Sequence, residues 1–231
     1  MKTGGMDESL RRAMIAFHGR IVASATHEIQ NHLAVIKEYS GLAGDLLASG
    51  KVDAGQARAR GTEINWNISE RAFEAAELVD MLNRFTHRAD AEICSFDPNE
   101  ALEELVALLK RHAGARRISL FAQSGDDTAP FRGNPSLLQY LVCSLLEPFL
   151  CRLPENSSVA ISAVRDEQER LVISISADAA MDDSLEASGQ GVPEPGLLEY
   201  CLDRLDCSVQ QSSTTSGLPG MRVILRPLTA G

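Results

Sequence analysis

The chain has 231 residues, 44% of them hydrophobic and 23% charged, with a formal net charge of −10. The length allows one large or two small domains, and the composition is that of a folded globular protein rather than a fibrous or disordered one. The acidic balance argues against a broad nucleic-acid or membrane surface, and no run of about 18 apolar residues offers a membrane span.

Residues 1–6 read as a leader without the apolar core of a secretion signal. From about Asp7 to Ser49, apolar residues recur three and four apart: Leu10, Met14, Phe17, Ile21, Ala25, Ile29, Leu33, Ile36, Ala43 and Leu47. That spacing predicts one long amphipathic helix. Residues 50–53 make a turn. A second helix is expected from about Ala54 to His87, on the stripe Ile64, Ile68, Ala72, Ala75, Leu78, Leu82 and Phe85. Gly61 weakens it, by about 1 kcal/mol against alanine if exposed. Two long helices with a short turn make an antiparallel hairpin over residues 7–88. A lone hairpin leaves a long apolar face uncovered. A second copy of the chain would complete a dimeric four-helix bundle.

Residues 89–95 read as a linker, and 96–231 as a second domain with a core of its own. Asp97 is the expected N-cap of a helix running to about His112, with Pro98 in its first position. Its end carries Arg111, His112, Arg116 and Arg117, which read as a solvated helix terminus whose cations complement the dipole. Arg117 to Phe121 alternates like a strand, and Gly125-Asp126-Asp127 like a turn. Asn134-Pro135 opens another helix, whose end Pro148 should disturb. Val159–Val164, Arg170–Ser176, Cys207–Gln211 and Met221–Arg226 read as strands, and Gly196–Leu205 as a short helix. Helices and mostly antiparallel strands segregate into layers, giving an α+β multidomain chain that ends in an α/β sandwich. The five cysteines, Cys94, Cys143, Cys151, Cys201 and Cys207, form no C-x-x-C pair and read as reduced thiols in a cytoplasmic protein.

The chemistry concentrates in Thr26-His27-Glu28-Ile29-Gln30-Asn31-His32-Leu33. His27 lies two residues from both Ala25 and Ile29, so it points away from the apolar stripe. His32, three after Ile29, points toward it. The two histidines are separated by about 140° around the helix, so they cannot readily share a metal ion, and no metal site is expected. Asn31 is one turn on from His27 on the same face. An exposed neutral imidazole is a nucleophile toward phosphorus, Glu28 can hold or move its proton, and Asn31 can place a water or a phosphoryl oxygen. Trp66, between Asn65 and Asn67, lies off the stripe, as a core-edge aromatic or a docking anchor. His87 and His112 read as helix-end residues.

Ala25-Thr26-His27-Glu28-Ile29-Gln30-Asn31-His32-Leu33 resembles the phosphoacceptor segment of two-component histidine kinases, on the first of two long helices. Phe96-Asp97-Pro98-Asn99-Glu100-Ala101-Leu102 resembles the segment that joins the hairpin to the ATP-binding domain. The resemblance implies a histidine-kinase-type ATPase-like sandwich after the hairpin. It further implies that His27 carries the phosphoryl group, that Glu28 assists proton transfer and that Asn31 supports dephosphorylation of the partner. Asn134-Pro135-Ser136-Leu137-Leu138 resembles the start of the family's nucleotide-contacting helix. There the family's two asparagines fall on Ser144 and Pro148, neither of which supplies the amide that helps hold magnesium and phosphates. Asp178 is a candidate for the adenine-binding aspartate, although strand parity favours Ala177 for that position. Gly189-Gln190-Gly191 and Gly196 give only a faint phosphate loop.

The expected function is therefore that of a histidine phosphotransfer protein of a two-component phosphorelay. It would pass phosphoryl groups to or from a response-regulator receiver aspartate through His27, or remove them. It would be a homodimer with no cofactor of its own; the magnesium would belong to the receiver. The alternatives are a divergent ATP-dependent kinase core, with Glu147 or Asp178 on the magnesium, and a non-catalytic dimeric docking module.

Overall fold

The computed structural model describes residues 3–49, 54–123, 130–182, 196–213 and 218–226. Two helices come first, α1 (Thr3–Ser49) and α2 (Ala54–His87), antiparallel and packed along their length. The first begins at Thr3, inside the stretch expected to be a leader. Two glycines precede Met6, and glycine is a poor helix former. Met6, however, packs against the core and reaches Gly196, so tertiary contact holds the first turn.

Next come β1 (Cys94–Phe96), α3 (Pro98–Gly114), β2 (Ser119–Gln123), β3 (Phe131–Gly133) and α4 (Pro135–Arg152). They are followed by β4 (Ser158–Arg165), β5 (Leu171–Ala177), α5 (Leu197–Arg204), β6 (Cys207–Ser213) and β7 (Pro219–Leu225). The expected caps are in place. Asp97 accepts a hydrogen bond from the Asn99 backbone N–H, and Asn134 from that of Leu137, both 2.8 Å. Each is followed by a proline in the first helical position, where its missing N–H costs nothing.

Five strands form one sheet in the order β2-β4-β5-β7-β6. The β2–β4 pair is parallel and the other pairs are antiparallel. Strand alternation turns Val159, Ile161, Ala163, Leu171, Ile173, Ile175 and Val223 to one face, where all are fully buried. α3 packs on that face over β2 and β4, and α4 and α5 extend the helical layer. Cys94 and Ser95, placed in the linker, and Phe96, placed at the start of the second domain, instead form one strand that pairs antiparallel with β3. Pro148 does not end α4, which runs on to Arg152. The helix loses one backbone hydrogen bond there, but Phe149, Leu150 and Leu153 are all buried and hold the last turn. The turn expected at Gly125-Asp126-Asp127 and the Gly189-Gln190-Gly191 loop lie outside the described residues.

The expectation of two separate cores does not hold. One continuous cluster joins Leu10, Phe17, Ile21, Ala25, Leu78 and Phe85 of the hairpin to the helical layer of the sandwich. Phe17 packs edge-on against both Phe85 and Tyr140, with ring centroids 5.6 Å apart in each pair. His18 crosses the same seam. Its Nδ1 lies 2.8 Å from the Met14 carbonyl oxygen, which can only accept, so Nδ1 carries the proton and Nε2 accepts from the Ser136 hydroxyl at 3.1 Å. An ion cluster around one buried carboxylate ties the end of α2 and Arg88 to α3. Glu104 is 2% exposed and receives Arg88 at 2.5 Å and Arg84 at 3.1 Å. Burial alone would lower the Arg88 pKa; hydrogen bonding to Glu104 and the charges of Glu104 and Glu100 outweigh it and raise the pKa.

Candidate functional site

The site begins with helical phase. Ile21 and Ala25 are buried against α2 and α3, which fixes the rotation of α1. Two residues past Ala25, His27 is exposed, as its phase requires. Glu28 is half-buried and Asn31 exposed. The Asn31 amide lies 3.3 Å from His27 Nδ1, one turn on. His32 is half-buried and turns elsewhere, its Nδ1 3.4 Å from Glu74 Oε2, which also receives Arg71 at 2.6 Å. The two histidines thus serve different partners. Among the described residues no group of three or more His, Cys, Asp or Glu side chains is placed to hold a metal ion.

Glu28, Asn31 and His32 line one wall of an open cleft of about 790 Å³. The opposite wall is the end of α3, with Lys110, Arg111 and His112. Sequence reasoning singled out most of that basic cluster but placed it in solvent at a helix terminus. The periodicity of α3 shows that these residues lie at its end; only the packing of α3 on the hairpin shows what they face. His112 and Arg116 are occupied: both reach Glu147 of α4, at 2.9 and 3.4 Å. Burial pushes the Glu147 pKa up, but the His112 and Arg116 contacts together exceed that and hold it below the usual range.

The positions matched to nucleotide binding are otherwise engaged. Ser144 is buried and hydrogen-bonds Tyr140, whose pKa is raised, chiefly by burial. Pro148 offers no amide. Glu147 is committed to His112 and Arg116. Asp178 accepts the backbone N–H of Ser158 at 2.7 Å and donates its own N–H to the Ser158 carbonyl at 3.1 Å, so its carboxylate pins the start of β4. Ala177 takes the inward position that strand parity favoured. This set does not fit magnesium and nucleotide phosphates, which require free carboxylate, amide or lysine groups at close range.

No protein-family model and no curated protein sequence matches the chain. Among solved structures it is similar to the Acinetobacter baumannii histidine kinase AdeS, at 12% identity and TM-score 0.47, covering 88% of this chain and 98% of that one. It is also similar to a blue-light activated histidine kinase of Erythrobacter litoralis, at 14% identity and TM-score 0.46, over 91% and 63% of the two chains. A third likeness, to the catalytic domain of the histidine kinase ThkA, has 13% identity and TM-score 0.48 and covers 59% of this chain and 97% of that domain. At such values the likeness extends to no activity.

Proposed function

We propose that this chain is a histidine phosphotransfer protein of a two-component relay, exchanging a phosphoryl group between His27 and the aspartate of a response-regulator receiver domain. The observation that carries this reading is an exposed imidazole with a side-chain amide 3.3 Å from its Nδ1, on a helix anchored one turn earlier by the buried Ile21 and Ala25. The Asn31 amide can present either its nitrogen or its oxygen to the ring. With the oxygen turned in, it accepts the Nδ1 proton and leaves the Nε2 lone pair facing solvent.

In the forward step that lone pair attacks the phosphorus of an aspartyl phosphate. The new N–P bond forms as the P–O bond to the aspartate breaks, and the aspartate leaves as a carboxylate. The ring proton stays on Nδ1, held by Asn31. Glu28, the next residue along the helix, takes or returns a proton at the site. The reverse step returns the phosphoryl group to the receiver. With Asn31 placing a water instead, the phosphoryl group is lost by hydrolysis. On this reading the phosphoryl group comes from another protein, which the lack of an amide at Ser144 and Pro148 supports.

The exposed apolar residues Leu33 and Leu47 of α1 and Phe73 of α2 support a homodimer, in which a second hairpin covers them. The test mixes the full chain, without ATP, with purified receiver domains of the source organism carrying radiolabelled phosphate. Acid-labile, base-stable label on the wild type, lost in His27→Gln, is expected. Label retained by His27→Gln would overturn the assignment. Binding of ATP and magnesium by calorimetry would instead favour the kinase alternative, and partner binding indifferent to His27, Glu28 and Asn31 a docking module.

A further inference from the structure

The end of α3 and the turn after it carry five basic or titratable side chains: Lys110, Arg111, His112, Arg116 and Arg117. Three have anionic partners. His112 and Arg116 meet Glu147, and Arg117 meets Glu155 at 2.8 Å. Lys110 and Arg111 are exposed and have no anionic partner among the described residues. Both line the cleft across from Glu28 and Asn31. Arg71, on the same cleft, is already satisfied by Glu74 at 2.6 Å. Two cations outside any ion pair therefore face Glu28 and Asn31, next to His27, on a chain of net charge −10.

We propose that this cleft receives an acidic segment of the phosphoryl-exchanging partner, from the rim around its phosphorylated aspartate, with Lys110 and Arg111 as the recognition residues. The proposal rests on the reading of His27 as the phosphoryl carrier. Three observations support it. The charge is local and opposite to that of the whole chain, so it orients an acidic partner that the rest of the surface repels. The space, about 790 Å³ and open, is of a size that admits several side chains rather than a single small ion. Asn31 belongs to both sites, lining the cleft and touching His27, so a segment seated there lies one side chain from the imidazole. Lys110 and Arg111 act on encounter and register; His27, Glu28 and Asn31 act on the reacting atoms.

The test compares the wild type with a Lys110→Glu/Arg111→Glu double variant and a charge-keeping Lys110→Arg/Arg111→Lys variant. All are full-length and share the phosphorylated receiver domain that labels the wild type fastest. Transfer rates are measured against receiver concentration at about 0.05 M and about 0.5 M salt, where screening lengths differ severalfold. The charge-reversed protein should lose about tenfold or more in transfer efficiency at low salt, through KM, with its rate at saturating receiver unchanged. The gap should close at high salt, and the charge-keeping variant should behave as wild type. Equal efficiency of the reversed variant at low salt, or a lost saturated rate that salt does not restore, would overturn the docking proposal alone. A wild type that takes no label from any receiver overturns both the docking proposal and the His27 reading. Should the reversed pair fail to fold, as judged by its circular dichroism melt, Lys110→Gln/Arg111→Gln is read by the same criteria.

Discussion

The hairpin lives in two environments. At one end Leu10, Phe17, Ile21, Leu78 and Phe85 are buried under the sandwich. At the other, Leu33, Leu47, Trp66 and Phe73 are 55%, 86%, 60% and 64% exposed, although Leu33 and Leu47 belong to the same heptad-like stripe. An identical spacing thus serves two purposes. Where the sandwich reaches it, the stripe is core; where it does not, it is an uncovered apolar face. His27 sits close to the boundary, just past the buried Ala25. Its backbone is fixed by the packed end while its ring faces solvent.

Substitutions should separate the two ends. The largest effect belongs to Phe85→Ala, which removes a fully buried ring from the seam and should cost about 3–5 kcal/mol in a urea melt. Leu47→Ala at the exposed end should stay within about 0.5 kcal/mol in the isolated chain. Glu104→Gln should follow at about 3 kcal/mol, since it removes the buried carboxylate that Arg84 and Arg88 share and leaves the largely buried Arg88 only Glu100, 3.8 Å away. If it is silent, the ion cluster is not what fixes the linker side of the seam. Leu33→Asp with Phe73→Asp should leave the melt of the monomer nearly unchanged while weakening self-association at least about tenfold, about 1.4 kcal/mol, by sedimentation. Unchanged association would show that the exposed end is not the dimer face.

Smaller effects come from titration. The Glu147 pKa is depressed in the folded chain, so its pairing contributes stability above the ordinary carboxylate range, and that part is lost as pH falls through the folded value. An acid melt of Glu147→Gln should therefore be flatter than that of the wild type below about pH 4.5. Smallest is the thiol response. Burial raises Cys143 to about 12 and Cys201 to about 11, so both stay protonated at neutral pH. At pH 8 a thiol reagent should label the half-buried Cys94 and Cys151 well before either, with little change in the melt. Fast labelling of Cys143 would mean that the α4 layer opens.

Much of this was legible in the residues. Spacings of three and four located both long helices, and Asp97-Pro98 and Asn134-Pro135 located the starts of α3 and α4. The helical phase of His27, Asn31 and His32 was enough to separate the exposed histidine from the half-buried one. What escaped has identifiable reasons. β1 and β3 are three residues each, too short to display alternation. Pro148 carries a strong breaking tendency that the buried side chains after it override. Asp178 reads as a polar group free for a ligand, and only strand pairing shows it bound to the Ser158 backbone. The shared core and the cleft escaped because a stripe or a basic cluster states its own phase and never its neighbour.

The clasp between the start of α1 and the later α4 and α5 has a consequence for how the protein is made. Tyr200 donates its hydroxyl to Asp7, 193 residues earlier, and Ser136 reaches His18 across 118 residues. Leaving the ribosome first, the hairpin can form its own turns, but Phe17 has no Tyr140 to pack on until α4 has emerged. Such distant pairings are slow to close, because chain entropy is lost before any contact compensates it. Nascent chains halted before α4 should therefore show a helical hairpin that is loose at the end the sandwich later covers, and the orientation of the His27 helix should become fixed only once α4 has been synthesised.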